Sequence, residues 1–126
     1  MFDRTWKWAG KIRKTNKNIA VLELLADVTY QTEHKTFPSD EIALRFHHRL
    51  VSIHLFPNGN GRHARLAADL FIRSLGRPQF SWGGTDLSGA SETRKRYIEA
   101  LKAADRGEYQ DLLSLARSGR LLDSTR

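Results

Sequence analysis

Two stretches of helical periodicity flank a turn that neither a helix nor a strand can absorb. Ser39 to Ile53 puts Ile42, Phe46, Leu50 and Ile53 on one stripe, and Arg62 to Leu75 repeats the period. Between them runs His54-Leu55-Phe56-Pro57-Asn58-Gly59-Asn60-Gly61. A glycine on each side of Asn60 admits left-handed dihedrals, so the chain can turn there and open straight into the second helix. The first N–H groups of a helix lack intrahelical acceptors and sit at the positive end of its dipole, so such a turn can aim them at an anion. Arg62 and Arg65, spaced i, i+3, share a face of that helix and suit a polyphosphate. The stretch reads as a phosphate-gripping loop with His54 at its mouth.

At 126 residues, 40% apolar and 28% charged, the chain is expected to form one globular domain over 1–126. No apolar run reaches the ~20 residues of a membrane span and no signal segment opens the chain, so no membrane partner is expected and the location is read as cytoplasmic. Cysteine is absent, which excludes disulfides, thiolate nucleophiles and thiolate metal sites. The net charge of +7 invites a nucleic-acid reading. Against it, the basic residues are spread from Arg4 to Arg126 without a dense block, and a phosphate-rich small ligand accounts for some of the same arginines.

Residues 1–20 show no clean period and read as an ordered N-terminal loop, with Trp6 and Trp8 as packing anchors and a weak strand hint at Ile19 to Leu22. Val21, Leu24, Leu25 and Val28 suit an amphipathic helix to His34, which Thr36-Phe37-Pro38 ends. Ser39 is placed to cap the next helix, with Asp40 and Glu41 favourable to its dipole. After the loop, Leu66 and Leu70, with Ala67, Phe71 and Leu75, are expected to form the apolar side, and Gly76 with Pro78 ends that helix. A connector through Trp82-Gly83-Gly84 leads to a helix near 90–104 carrying Tyr97, Ile98 and Leu101, and Gly107 precedes a last one near 109–117 with Leu112, Leu113 and Leu115 inside. Residues 119–126 read as a frayed tail. The whole is all-α.

A histidine at a helix end is more often a capped structural group than a catalyst. Positive charge nearby, however, favours the neutral imidazole that can take a proton. A histidine metal site is disfavoured: His47 and His54 stand roughly 10 Å apart along a helix, and adjacent His47 and His48 point apart. Gly59-Asn60-Gly61-Arg62-His63-Ala64 fits the weak dinucleotide pattern G-x-G-x-x-A, but a helical segment precedes it and there is no βαβ alternation. Asn60 could be only a left-handed turn residue, and Arg65 only the i, i+4 partner of Asp69.

The string resembles the signature of the Fic domain family (Fic/Doc superfamily), His-x-Phe-x-[Asp/Glu]-Gly-Asn-Gly-Arg-x-x-Arg, and matches all but one fixed position. Thr5-Trp6-Lys7-Trp8-Ala9-Gly10 and Phe46-His47-His48-Arg49-Leu50 are similar to the branch called mobile mystery protein B, so the likeness covers most of the chain. The resemblance implies a compact helical bundle of about five or six helices. It implies protein adenylyltransfer (AMPylation), in which AMP passes from ATP to a Tyr, Thr or Ser hydroxyl of a target protein. His54 would be the general base. Asn58, Gly59, Asn60, Gly61, Arg62 and Arg65 would bind the nucleotide phosphates, with Asn60 in the anion hole, and Phe56 would be a buried anchor of the loop.

Three departures stand out. Asn58 replaces the Asp or Glu that would hold Mg²⁺, and its amide oxygen is a neutral, weaker ligand, so the metal residue is left unassigned and Mg²⁺ would rest on phosphates and water. Asn18 to Leu25 passes almost directly into a helix, so the family's flap hairpin, which docks the target by strand addition, is expected to be shortened or absent. Thr29 to His34 approaches the family's inhibitory pattern without its last residue, and the chain begins close to Trp6-Lys7-Trp8. Under the resemblance, that leaves a toxin-like bacterial modifier either uninhibited or inhibited in trans by an antitoxin-like partner. The alternatives are a nucleotide-binding module that has lost catalysis and a basic nucleic-acid binder.

Overall fold

The computed structural model describes residues 17–84, 87 and 91–119. Residues 1–16 of the expected N-terminal loop, with Trp6 and Trp8, and the tail beyond Gly119 lie outside these residues. The described residues form five α-helices and no strand: α1 (Lys17–His34), α2 (Ser39–Ile53), α3 (Asn60–Ser74), α4 (Glu92–Asp105) and α5 (Gln110–Ala116), with a short 3₁₀ turn at Trp82–Gly84. The all-α expectation is met. The chain divides into two compact units, residues 1–76 and 77–126, and the loop at 54–61 falls wholly within the first.

In the first unit α1 starts at Lys17, so 17–20 are helix rather than loop and Ile19 to Leu22 is not a strand. Asn18 to Leu25 lies in this helix and forms no hairpin. The buried stripe is Ala20, Leu24 and Val28, at i, i+4, i+8, while Leu25 is half exposed. The end of α1 is set by a left-handed Lys35 (φ 50°), with Thr36 N–H reaching Gln31 C=O at 3.1 Å and Lys35 N–H reaching Thr32 C=O at 3.4 Å.

Pro38, not Ser39, occupies the cap of α2. Its extended backbone (φ −57°, ψ 152°) leads the helix in, its carbonyl accepts from Ile42 N–H at 3.0 Å, and no side chain caps the end. A residue ahead of the helix with fixed φ does the work assigned to the serine. Ile42, Leu50 and Ile53 are buried as expected, while Phe46 is half-buried with its ring edge-on to Phe71 at 5.8 Å. Ala43, Leu44, His47, His48, Val51 and Ser52 are buried as well, because α2 lies between α1 and α3 and is covered on both sides.

The face of α3 is a correction. Ala64, Ala68 and Ile72 are buried, while Leu66 and Leu70 are 58% and 57% exposed. Positions 64 and 66 differ by about 200° around a helix, so the leucines point almost opposite to the alanines. Alanines on the inner face let α3 approach α2 closely, and that close fit outweighs the larger transfer energy of the leucines.

The second unit packs α4 and α5 with the 3₁₀ turn around Phe80, Trp82, Tyr97, Leu101, Leu112 and Leu115. Ser91 caps α4 by accepting from Arg94 N–H at 3.0 Å. Ile98 and Leu113 are only half-buried. The Arg117 guanidinium stacks over Phe80 at 4.2 Å and donates to the carbonyls of Pro78 and Gln79.

Candidate functional site

Helix α2 ends by turning left-handed at His54 (φ 58°, ψ 63°), whose N–H still reaches Leu50 C=O at 3.4 Å. A left-handed backbone is uncommon for a residue with a Cβ and costs on the order of 1 kcal/mol or more, so surrounding contacts must hold it. From there the chain crosses exposed Phe56, Pro57, Asn58 and Gly59. Gly59, at φ 78°, is the position that needs glycine, and an added Cβ there would meet nothing within 4 Å.

Helix α3 then opens at Asn60, two residues earlier than periodicity indicates. Its first closed turn is His63 N–H to Gly59 C=O at 3.0 Å. The backbone N–H groups of Asn60, Gly61 and Arg62 therefore precede every helical acceptor and form the positive end of the helix. Arg62 is exposed on this first turn, and Arg65 is half-buried one turn on.

Asn60 is turned inward and is only 7% exposed. Its Oδ1 accepts from Phe56 N–H at 3.0 Å, and its Nδ2 donates to Phe56 C=O at 2.7 Å. A backbone N–H can only donate and a backbone carbonyl only accept, so these bonds fix the amide orientation. Nδ2 then lies 3.3 Å from His54 Nδ1, which sets that nitrogen as acceptor and places the proton of the neutral ring on Nε2. The side chain of Asn60 thus braces the loop and orients the histidine, while its backbone N–H belongs to the helix start.

The Phe56 ring is 43% exposed and stands edge-on to His63 at 5.0 Å. Its backbone, not its ring, anchors the loop, which corrects the expected buried anchor. Below the site His47 is fully buried beneath the second turn of α3, hydrogen-bonded to the Ala64 backbone. Burial drives its pKa from 6.5 down to about 3, helped by the charges of Arg65 and His48 and opposed by the Ala64 bond. It is a neutral packing group next to Arg65.

One contact went unseen in the sequence. The Lys17 ammonium, at the start of α1, donates to the backbone carbonyl of His54. The lysine sits in a polar run that reads as loop, and only a fold that brings the start of α1 beside the end of α2 reveals the contact.

For a divalent cation, the loop offers the exposed Asn58 amide oxygen, which is neutral. No group of three His, Asp or Glu side chains able to hold a metal occurs among the described residues. These donors do not fit a protein-held Mg²⁺.

The Fic/DOC family model matches residues 2–72, which takes in α1, α2, the loop and most of α3. The chain belongs to the Fic/DOC family. It is similar to the protein adenylyltransferase fic-1 of Caenorhabditis briggsae, 35% identical over 114 residues, covering 81% of this chain and 21% of that protein. The fic-1 protein of Caenorhabditis elegans is 31% identical over the same coverage. The chain thus spans about a fifth (21%) of the length of these curated relatives. No solved structure matches it. Within the described residues of this Fic/DOC chain, no helix is long and apolar enough to cross a membrane.

Proposed function

We propose that this chain transfers AMP from ATP to a Tyr, Thr or Ser hydroxyl of a target protein. The observation that carries the reading is the pairing of an orienting amide on His54 with an open, arginine-bearing helix start a few residues away. In a chain of the Fic/DOC family these parts suit nucleotidyl transfer, which asks for positioning and charge stabilisation more than covalent chemistry.

The Asn60, Gly61 and Arg62 N–H groups and the guanidiniums of Arg62 and Arg65 hold the triphosphate. The target oxygen attacks the α-phosphorus, forming the new P–O bond. The bond from that phosphorus to the bridging oxygen breaks, and its electron pair leaves with pyrophosphate. The hydroxyl proton passes to His54. In the tautomer favoured by Asn60 the basic lone pair is on Nδ1, where it meets the Asn60 amide, so the proton arrives there as that contact gives way. Mg²⁺ enters with the substrate as the counter-ion of ATP, and no step is assigned to a protein-held metal.

The test is transfer of label from ATP radiolabelled at the α-phosphate, with Mg²⁺, to the chain itself and to proteins of a lysate, for wild type and His54→Ala. His54-dependent label supports the reading. ATP binding with no labelled product would instead favour a nucleotide-binding module without catalysis, the reading to which Asn58 lends weight.

A further inference from the structure

We infer that Lys17 is a positioning residue for His54, holding the left-handed end of α2 from the carbonyl side while Asn60 holds the ring. The inference rests on the reading of His54 as the base, but the contact itself can be tested without it.

Lys17 opens α1, and the first turn of that helix carries no acidic residue. A cation at a helix N-terminus opposes the helix's own dipole, so its local placement is unfavourable. The cost is offset at a second helix. Lys17 lies 37 positions before His54 in sequence, yet its ammonium reaches the His54 carbonyl at the C-terminal end of α2, where a positive charge complements the dipole. A local rule broken at one helix and repaid at the end of another is the pattern expected where a site sets the requirement.

The contact has a defined consequence for the imidazole. His54 is in the left-handed region, and a residue with a Cβ stays there only when its neighbours over-determine it. Peptide rotation at His54 would swing the side chain away from Asn60. Lys17 fixes the carbonyl, Leu50 accepts from the N–H, and Asn60 meets Nδ1, so backbone and ring are held by partners from three different segments.

The experiment compares wild type, Lys17→Met and Lys17→Arg, with ¹⁵N NMR of the histidine rings as one readout and steady-state label transfer as the other. In Lys17→Met the His54 ring signals are expected to move toward mixed tautomers. The kcat is expected to fall about tenfold, since small misplacements of a reacting group carry penalties of this order or larger, while the KM for ATP stays within about twofold. Lys17→Arg, which keeps a cationic donor, should restore most of both. Unchanged His54 ring signals and amide shifts at 54–59 in Lys17→Met would overturn the inference. A wild type without transfer activity would count against the proposed function and leave the NMR readout to decide the clamp. Should Lys17→Met not fold, a through-bond coupling between Lys17 Nζ and the His54 carbonyl carbon in wild type supplies the answer: its presence supports the clamp and its absence removes it.

Discussion

The side-chain nitrogen of Asn60 lies 3.3 Å from His54 Nδ1 while the same amide is bonded to both backbone groups of Phe56. One buried side chain therefore closes the loop and selects the tautomer of the histidine. Asn60→Ala is expected to cost about 1–3 kcal/mol of stability by removing both partners of Phe56, measured by urea denaturation. Asn60→Asp places acceptors toward Nδ1 and the Phe56 carbonyl. It should shift the neutral His54 proton from Nε2 to Nδ1 in ring ¹⁵N spectra, and an unmoved pattern would refute the tautomer assignment.

Arg62 and Arg65 should separate by their surroundings. Arg62 is exposed on the first turn of α3, so Arg62→Ala should weaken ATP about tenfold or more, as expected for a lost charge-assisted bond, while stability stays within about 0.5 kcal/mol. Arg65 is half-buried beside His47, and Arg65→Ala should lower both ATP affinity and stability. Titration with a fluorescent ATP analogue, paired with thermal melts, distinguishes the two. Equal affinities for wild type and both variants would remove the phosphate site from this helix.

The helices of the first unit were largely legible because the α2 stripe repeats over several turns and the Gly59-Asn60-Gly61 turn interrupts it sharply. Less legible was which side of α3 is inside. Leu66 and Leu70 outweigh Ala64 and Ala68 on any hydropathy scale, but close helix approach selects small residues, a property of the pair of helices and not of either sequence. The loop residues were legible as a string, whereas the contacts between them were not. Asn60 turns its side chain inward and Phe56 leaves its ring exposed, choices decided by hydrogen bonds between loop atoms. Lys17 was invisible for the same reason, since its partner is a carbonyl far away in sequence.

Asn58 offers an exposed amide where a carboxylate would bind a hard cation more strongly. If Mg²⁺ enters only as part of the substrate, Asn58→Asp should lower the Mg²⁺ concentration needed for half-maximal label transfer by about threefold or more, through the added charge. It should leave the fold unchanged, because the position is exposed. A magnesium titration at saturating ATP checks this. An unchanged midpoint would mean that position 58 does not face the metal on the bound nucleotide.

His47 predicts an acid-sensitive fold. Its pKa is about 3 when folded and 6.5 when exposed, so between these values the unfolded chain binds more protons and stability rises with pH. The stabilising effect of the neutral, buried ring is complete above about pH 6.5 and is lost as pH falls toward 3, at up to about 1.4 kcal/mol per pH unit. Other groups titrate in the same window, so the comparison is with His47→Gln, which keeps a polar side chain able to meet the Ala64 backbone but cannot titrate. Urea unfolding at intervals from pH 7 down to about 4 should show a steeper loss for wild type than for His47→Gln. Parallel slopes would show that the His47 ring gains solvent or a proton without unfolding, and so that the packing of α2 beneath the second turn of α3 is looser than its full burial indicates.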